Sequence, residues 1–176
     1  GAEICDDDGD NDGDGDIDIF NTEGEVWLNN GFALFTNSGQ TLGGSWDVDL
    51  ADLDGDGDVD AIMTDNSPGS FEVLFNDGNG VFTAMGPILT GVNSKKYQLG
   101  DIDNDGDIDI AGKTVWFNDG LGNFSDSWQD LNIDRIFELG DFDGDGDLDI
   151  LSPYNLHLNN GAGYFFLSGQ TMIEGY

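Results

Sequence analysis

Basic residues are scarce in this 176-residue chain: 4 Lys and Arg stand against 37 Asp and Glu, which gives a formal net charge of −33. Such a charge repels the phosphates of nucleic acids and anionic lipid surfaces, so we expect no nucleic-acid partner. No apolar run approaches the ~20 residues that a membrane-spanning helix needs, so we expect no membrane insertion. The composition therefore excludes two large classes of function.

Cysteine, histidine and proline are also rare, with 1, 1 and 3 residues respectively. The single cysteine, Cys5, excludes an internal disulfide framework within one chain, and its role stays open between burial and a tether to another chain. The single histidine, His157, lies in a predicted strand, where packing is the expected role. No nucleophile–base pair accompanies it, so we expect that the chain is not an enzyme.

Aspartate is abundant and unevenly placed. Of the 31 Asp residues, 20 lie in four nine-residue segments of one design, at 10–18, 52–60, 101–109 and 141–149. Each segment has Asp at positions 1, 3, 5, 7 and 9, Gly at position 6 and an aliphatic residue at position 8. Four acidic surface turns would not share one register, so this pattern indicates four copies of one cation-binding loop.

Calcium is the cation that this donor set favours. Ca²⁺ takes six to eight oxygen ligands in a flexible sphere, and Gly at position 6 permits the sharp turn around the ion. Mg²⁺ demands tighter octahedral geometry, and zinc lacks its sulfur and imidazole ligands here. We therefore predict about four Ca²⁺ ions, one per loop.

The EF-hand begins with the same alternation of acids but does not fit. It needs a bidentate acid at position 12 and a helix on each side. The twelfth positions here are Asn21, Met63, Gly112 and Ser152. The acid at position 9 must therefore complete the ligand shell instead.

The loops recur along the chain with spacings of 42, 49 and 40 residues, a period typical of arrays, solenoids and propellers. An alternating apolar strand follows each loop, and a second strand then ends in a hairpin turn such as Asn76-Asp77-Gly78. A third strand is predicted to begin at an aromatic residue, and a fourth runs into the next loop. These aromatic residues are Phe32, Phe82, Phe124 and Phe165. Four antiparallel strands per about 44 residues are typical of a β-propeller blade.

We therefore predict an all-β fold, a β-propeller of four blades with four antiparallel strands each. Residues 1–176 form a single domain whose repeats begin at 10, 52, 101 and 141. The fourth blade is predicted to be split between the two termini, because the tail stops before the strand that should follow.

The acidic loop, the apolar strand after it and the Asn-Asp-Gly hairpin together resemble the FG-GAP repeats, also called VCBS-type repeats, of integrin α subunits and many secreted bacterial proteins. The resemblance implies that positions 1, 3, 5 and 9 bind Ca²⁺ by side chain and that position 7 contributes its carbonyl. The implied side-chain ligands are Asp10, Asp12, Asp14, Asp18, Asp52, Asp54, Asp56, Asp60, Asp101, Asp103, Asp105, Asp109, Asp141, Asp143, Asp145 and Asp149. The implied carbonyl ligands are those of Asp16, Asp58, Asp107 and Asp147.

The assembly has three alternatives. The family's propellers usually have about seven blades, so the chain closes a tight ring alone, exchanges strands with another chain, or is an excerpt of a longer propeller. Self-association is expected to use Gly1–Cys5 and Phe165–Tyr176, because an unpaired sheet edge is a template for another strand.

The function predicted from these features is an extracellular, calcium-binding, non-catalytic module for adhesion, recognition or surface assembly. Weak calcium binding typical of extracellular modules and the family resemblance both favour secretion. The alternative is a polysaccharide-active enzyme or an accessory propeller of one. The ligand is unknown; among the Trp residues, Trp128 is the best candidate for an exposed aromatic, while Asp126 and Asp130 are expected to be solvated.

Overall fold

The computed structural model describes residues 10–16, 18–65, 70–85, 89–90, 97–133 and 137–171. These residues form strands, turns and irregular segments, and no helix that could cross a membrane occurs among them. All the strands lie in four antiparallel sheets.

The strands follow one another along the chain. The first sheet contains β1 (Ile19–Phe20), β2 (Val26–Asn29) and β3 (Phe35–Asn37). The second contains β4 (Ser45–Ala51), β5 (Asp60–Asp65), β6 (Ser70–Asn76), β7 (Phe82–Ala84) and β8 (Leu89–Thr90). The third contains β9 (Gln98–Gly100), β10 (Asp109–Ala111), β11 (Val115–Phe117) and β12 (Ser125–Asp126). The fourth contains β13 (Glu138–Gly140), β14 (Asp149–Leu151), β15 (Asn155–Asn159) and β16 (Phe165–Thr171).

Apart from β8, strands that are consecutive in the chain are neighbours within each sheet, so the sheets are meanders. The third and fourth sheets have the four strands predicted for a blade, and the second has β8 as an extra strand beside β6. In the last three sheets the acidic loop joins the first strand to the second. The strand that would precede the first loop falls in residues 1–9, outside the described residues, so the blade shared between the termini stays a prediction.

The chain divides into two compact units, Gly1–Thr90 and Gly91–Tyr176. The first unit contains the first two sheets, and the rings of Phe20 and Phe82 meet edge to face in its core with centroids 5.0 Å apart. Its buried core consists of Phe20, Val26, Val48, Leu50, Ala61, Met63, Leu74 and Phe82. The core of the second unit draws in the same way on both of its sheets. It consists of Ile102, Ala111, Val115, Leu131, Ile133, Phe137 and Ile150.

A glutamine links the two sheets within each unit. In the first unit, Gln40 follows β3, and its amide nitrogen donates to the carbonyl of Gly80 while its oxygen accepts the N–H of Phe82 at 2.8 Å. In the second unit, Gln129 donates to the carbonyl of Gly163 at 2.8 Å and accepts the N–H of Phe165 at 2.9 Å. Each side chain therefore satisfies two backbone groups of the next sheet.

We expect the substitution Gln40→Ala to lower the free energy of unfolding by about 1–3 kcal/mol, because a partly buried donor and acceptor lose their partner. Gln170, which is exposed and occupies the same position in the fourth repeat, supplies the matched control Gln170→Ala. Urea unfolding of both variants in millimolar calcium measures the difference. Equal midpoints for the two variants would contradict the role assigned to Gln40.

The prediction that Phe32 begins a third strand is wrong. Phe32 is 90% exposed in the turn, and β3 begins at Phe35, which is the true counterpart of Phe82. The register is obscured in the sequence because Ala33, with φ +56°, stands where the other repeats have glycine. These glycines, with φ between +70° and +71°, are Gly80, Gly122 and Gly163.

Candidate metal centre

Three carboxylates meet in each acidic loop, at positions 1, 3 and 9. In every loop one oxygen from each of the three lies within 4.8 Å of the other two. The four clusters are Asp10, Asp12 and Asp18; Asp52, Asp54 and Asp60; Asp101, Asp103 and Asp109; and Asp141, Asp143 and Asp149. The sequence repeat therefore becomes a repeat of one three-dimensional arrangement.

The acid at position 9 is the fixed point of each loop. Its side chain is at most 2% exposed in all four copies, and both carboxylate oxygens accept backbone hydrogen bonds. One oxygen accepts the N–H of position 2, at 2.8–3.0 Å. The other accepts the N–H of the asparagine that ends, or directly follows, the second strand after the loop, at 2.6–2.9 Å. Position 9 thus ties the loop to the sheet below it.

The remaining acids fold the loop on itself. The carboxylate at position 1 accepts the N–H of the glycine at position 6, at 2.9–3.2 Å in the four loops. The carboxylate at position 5 accepts the N–H of position 7, at 2.9–3.0 Å. Because the N–H groups at positions 6 and 7 donate to the carboxylates at positions 1 and 5, the loop is closed into a tight turn.

The side chains at position 7 lie against the hairpin turn of the same repeat. Among the described residues they are not members of the four carboxylate clusters. A Cβ placed on Gly120, which has φ +73°, would lie 2.5 Å from an oxygen of Asp107. A Cβ placed on Gly78 would meet an oxygen of Asp58 in the same way. Glycine is required in the Asn-x-Gly turn both for its left-handed backbone and for this contact.

The clusters fit a hard divalent cation. One carboxylate oxygen of Asp10, of Asp101 and of Asp103 is buried without a hydrogen-bond partner among the described residues. A buried polar atom without a partner is unfavourable, and a carboxylate oxygen with no donor is suited to a cation ligand. Two asparagine side chains also hold the backbone of the loops: Asn76 donates to the carbonyls of Asn11 and Val59, and Asn159 donates to those of Ile102 and Leu148.

Burial makes the metal-free loops electrostatically unfavourable. Desolvation is the main cause that raises the pKa of Asp60 to about 6, against backbone hydrogen bonds that lower it. Desolvation likewise raises the pKa of Asp109 to about 6. Neighbouring loop carboxylates raise both further. A bound cation would offset this unfavourable charge, since an opposite charge favours the ionised form.

In divalent-free buffer we expect the chain to melt at a higher temperature at pH 5 than at pH 7.5. The folded pKa of Asp60 and Asp109, about 6, lies above the unfolded value of ~3.9, so the folded state binds more protons. Their contribution to stability is therefore present at low pH and is lost as the pH rises through 6. Scanning calorimetry at the two pH values measures it, and the double variant Asp60→Asn/Asp109→Asn should show a smaller difference. A melting temperature that rises with pH would contradict this sign.

His157 and Trp128 lie where the sequence placed them. His157 is 7% exposed in β15, and burial lowers the pKa of its imidazole. Trp128 is 88% exposed after β12. Asp126, expected to be solvated, is instead half-buried and accepts the hydroxyl of Thr114 at 2.6 Å and the N–H of Trp128 at 2.8 Å. Cys5 and the terminal segments 1–9 and 172–176 lie outside the described residues.

The fold and the loops together define an all-β protein of blade-like antiparallel sheets that carry acidic loops, which confirms the predicted fold class. Residues 52–112 match the sequence profile of the FG-GAP-like repeat. This match confirms, over residues 52–112, the resemblance to the FG-GAP-like repeats found from the sequence. The loops at 10–18 and 141–149 have the same pattern of acids outside the matched stretch.

One solved structure with a similar fold is that of a lectin from Agrocybe aegerita. Its description states that this lectin specifically recognises non-reducing terminal N-acetylglucosamine. The TM-score is 0.59 and the sequence identity 22%, so the likeness concerns the fold alone. It covers 93% of this chain and 50% of the lectin chain, so this chain spans about half the length of that lectin. No curated protein matches the chain.

Proposed function

We propose that this protein is an extracellular, non-catalytic recognition module whose loops each bind one calcium ion. The observation that carries the proposal is the cluster of three carboxylates that recurs in all four loops with the same hydrogen bonds. Each loop offers only oxygen donors, the ligands that Ca²⁺ takes in a sphere of six to eight. A calcium ion would supply the positive charge that these buried carboxylates lack.

The ligands proposed for each ion are the side chains of positions 1, 3, 5 and 9 and the carbonyl of position 7. The clusters support positions 1, 3 and 9 directly. The side chains of Asp58 and Asp107 face their hairpin glycines, which is compatible with a carbonyl ligand at position 7. In this arrangement position 9 holds the ion against the sheet, and the other acids close the loop over it.

The proposed extracellular location rests on the calcium affinity that we predict for the loops and on the resemblance to repeats of secreted proteins. Extracellular modules bind calcium with dissociation constants of roughly 10⁻⁴–10⁻³ M. The repeats of this chain resemble the FG-GAP-like repeats of many secreted proteins, and the net charge of −33 keeps a lone module soluble. We also propose that the partner of the module is an extracellular protein or glycan.

A calcium titration of the folding transition tests this location. We expect the change in tryptophan fluorescence between the calcium-free and the loaded chain to have its midpoint at roughly 10⁻⁴–10⁻³ M free calcium. A midpoint in the submicromolar range of cytosolic sensors would contradict the extracellular assignment. A fluorescence signal that calcium leaves unchanged would contradict the calcium sites themselves.

Recognition, and not catalysis, is the activity that we propose. A fold of short strands joined by many loops suits binding, since loops on a rigid scaffold present variable side chains. The lectin with a similar fold is a binding protein by its description, which supports the proposal by analogy. Assay of the calcium-loaded chain on neutral and acidic polysaccharides tests it, and the release of reducing ends would favour the enzyme alternative.

Self-association through Gly1–Cys5 and residues 165–176 is a separate part of the proposal. β16 is the last strand of the fourth sheet, and Phe166 and Leu167 on it are 53% and 60% exposed. Exposed strand edges pair with further strands. The mass of the calcium-loaded particle in solution tests this part, with a chain lacking residues 1–5 expected to lose assembly. Equal compact monomers before and after the deletion would contradict strand exchange.

A further inference from the structure

The segment that follows β12 is held in an unfavourable conformation. Trp128 has φ +58°, in the left-handed region that residues with a bulky side chain rarely adopt. Asn132 has φ +51°, a conformation that asparagine adopts more readily. Such strain is retained only where the surroundings enforce it, and it clusters at ligand-binding sites. A tryptophan that is 88% exposed gains little from burial, so core packing does not account for its position.

The repeats show what the backbone itself requires at this point. At the position of Trp128, the first and fourth repeats carry Gly39 and Gly169, with φ +81° and +80°. Glycine adopts this conformation without strain, whereas an L-residue with a side chain is destabilised there. The third repeat therefore presents a large aromatic side chain where its sister repeats have none.

Hydrogen bonds hold this tryptophan in place. The N–H of Trp128 donates to the Oδ1 atom of Asp126 at 2.8 Å, and the hydroxyl of Thr114 donates to the same atom at 2.6 Å. The next residue, Gln129, is fixed by its two bonds to the fourth sheet. The indole is thus exposed on a backbone that is anchored on both sides, so that little backbone freedom remains to be lost on binding.

Two adjoining cavities lie beside the segment. The first, of about 210 Å³, is lined by Lys113, Thr114, Asp126, Trp128, Gln129 and Asp130. The second, of about 370 Å³, shares Gln129 and Asp130 with the first and extends to Asn155, His157, Phe165 and Leu167. His157 lines the second cavity, and its Nδ1 atom is buried without a hydrogen-bond partner among the described residues. Buried polar atoms normally have a partner, so the imidazole keeps an unused hydrogen-bonding position in the wall of this cavity.

We propose that these two cavities form a binding site for a neutral saccharide, which stacks one ring on Trp128 and directs a polar substituent toward His157. A sugar ring has an apolar face and a rim of hydroxyl groups, which match an aromatic plane surrounded by carboxylate and amide groups. The net charge of −33 disfavours acidic saccharides. A proline-rich peptide would need a groove lined by several exposed aromatic side chains, whereas of the two aromatic residues that line these cavities Trp128 is exposed and Phe165 is half-buried. The site names a ligand class for the recognition module and so rests on the proposed function.

Titration of the calcium-loaded chain with N,N′-diacetylchitobiose, lactose and cellobiose, followed by calorimetry and tryptophan fluorescence, tests the site. We expect at least one of these neutral disaccharides to bind. The substitution Trp128→Gly, which restores the residue of the sister repeats, should lower its affinity at least tenfold while the melting temperature stays equal or rises. His157→Leu, which introduces the residue of the second repeat at this place, should weaken binding as well. Phe32→Ala removes another exposed aromatic side chain and should leave the affinity unchanged.

Three results would overturn the inference. They are the absence of binding to all three disaccharides by a chain whose stability responds to calcium, equal affinity of wild type and the Trp128→Gly variant, and preference for an acidic disaccharide or a proline-rich peptide. Failure of the proposed function looks different, because calcium would then leave the melting temperature of every variant unchanged.

Discussion

Removal of calcium is expected to lower the melting temperature of the chain by about 10–20 °C. Four sites, each at about ten times its dissociation constant, together contribute about 5.6 kcal/mol of stability. For a chain of this length, 1 kcal/mol shifts the melting temperature by about 2–4 °C. The physical cause is the set of buried carboxylates, whose raised pKa at Asp60 and Asp109 expresses how unfavourable their charge is without a cation.

Scanning calorimetry in EDTA and in millimolar calcium measures this shift. Magnesium at equal concentration and sodium chloride at equal ionic strength serve as controls, since general screening of a charge of −33 also stabilises an acidic protein. We expect calcium to raise the melting temperature well beyond either control. Equal melting temperatures in calcium and in sodium chloride would mean that the loops contribute negative charge but bind no calcium specifically.

The substitution Asp109→Asn is expected to lower the free energy of unfolding in calcium by about 2–4 kcal/mol. The carboxylate of Asp109 accepts the N–H groups of Ile102 at 2.9 Å and Asn118 at 2.8 Å. An amide has one oxygen, so one of these buried N–H groups loses its acceptor, which costs about 1–3 kcal/mol. The third loop also loses its central ligand, and with it the calcium contribution of about 1.4 kcal/mol.

The matched control is Glu138→Gln, which also replaces one carboxylate by an amide but at an exposed position of β13. It is expected to change stability by no more than about 0.5 kcal/mol. In divalent-free buffer the loss caused by Asp109→Asn should shrink, because the variant no longer buries an uncompensated charge. An equal loss with and without calcium would show that Asp109 is structural and not a ligand.

The fold follows from the sequence where local patterns determine it. Alternating apolar residues and Asn-x-Gly turns predicted β5, β6 and the hairpins correctly, because strand pairing across a short turn depends on neighbours in the chain. The sequence wrongly predicts a strand start at Phe32, since Ala33 stands where the other repeats have the glycine that marks the register. Its left-handed φ of +56° is a property of the folded turn, and alanine gives no sign of it in the sequence.

The candidate site shows the same division. The repeated acids identified the loops, but their sequence did not show that the position-9 side chains would be buried and doubly hydrogen-bonded, since the second donor lies 9–16 residues away. The role of Gln40 depends on Phe82, 42 residues further along. In the sequence, the recurrence of glutamine at 40, 129 and 170 is the pattern that could have indicated this role. The strain at Trp128 could have been found by aligning it with Gly39 and Gly169.

The calcium content of the chain after equilibrium dialysis is the most direct test of the proposed function. Measured by atomic emission against protein concentration, bound calcium should saturate at four ions per chain and at three in the Asp109→Asn variant, with Glu138→Gln retaining four. Uptake that rises without saturation, as a bare polyanion would show, or a count that Asp109→Asn leaves unchanged, would contradict the assignment of one calcium ion to each loop.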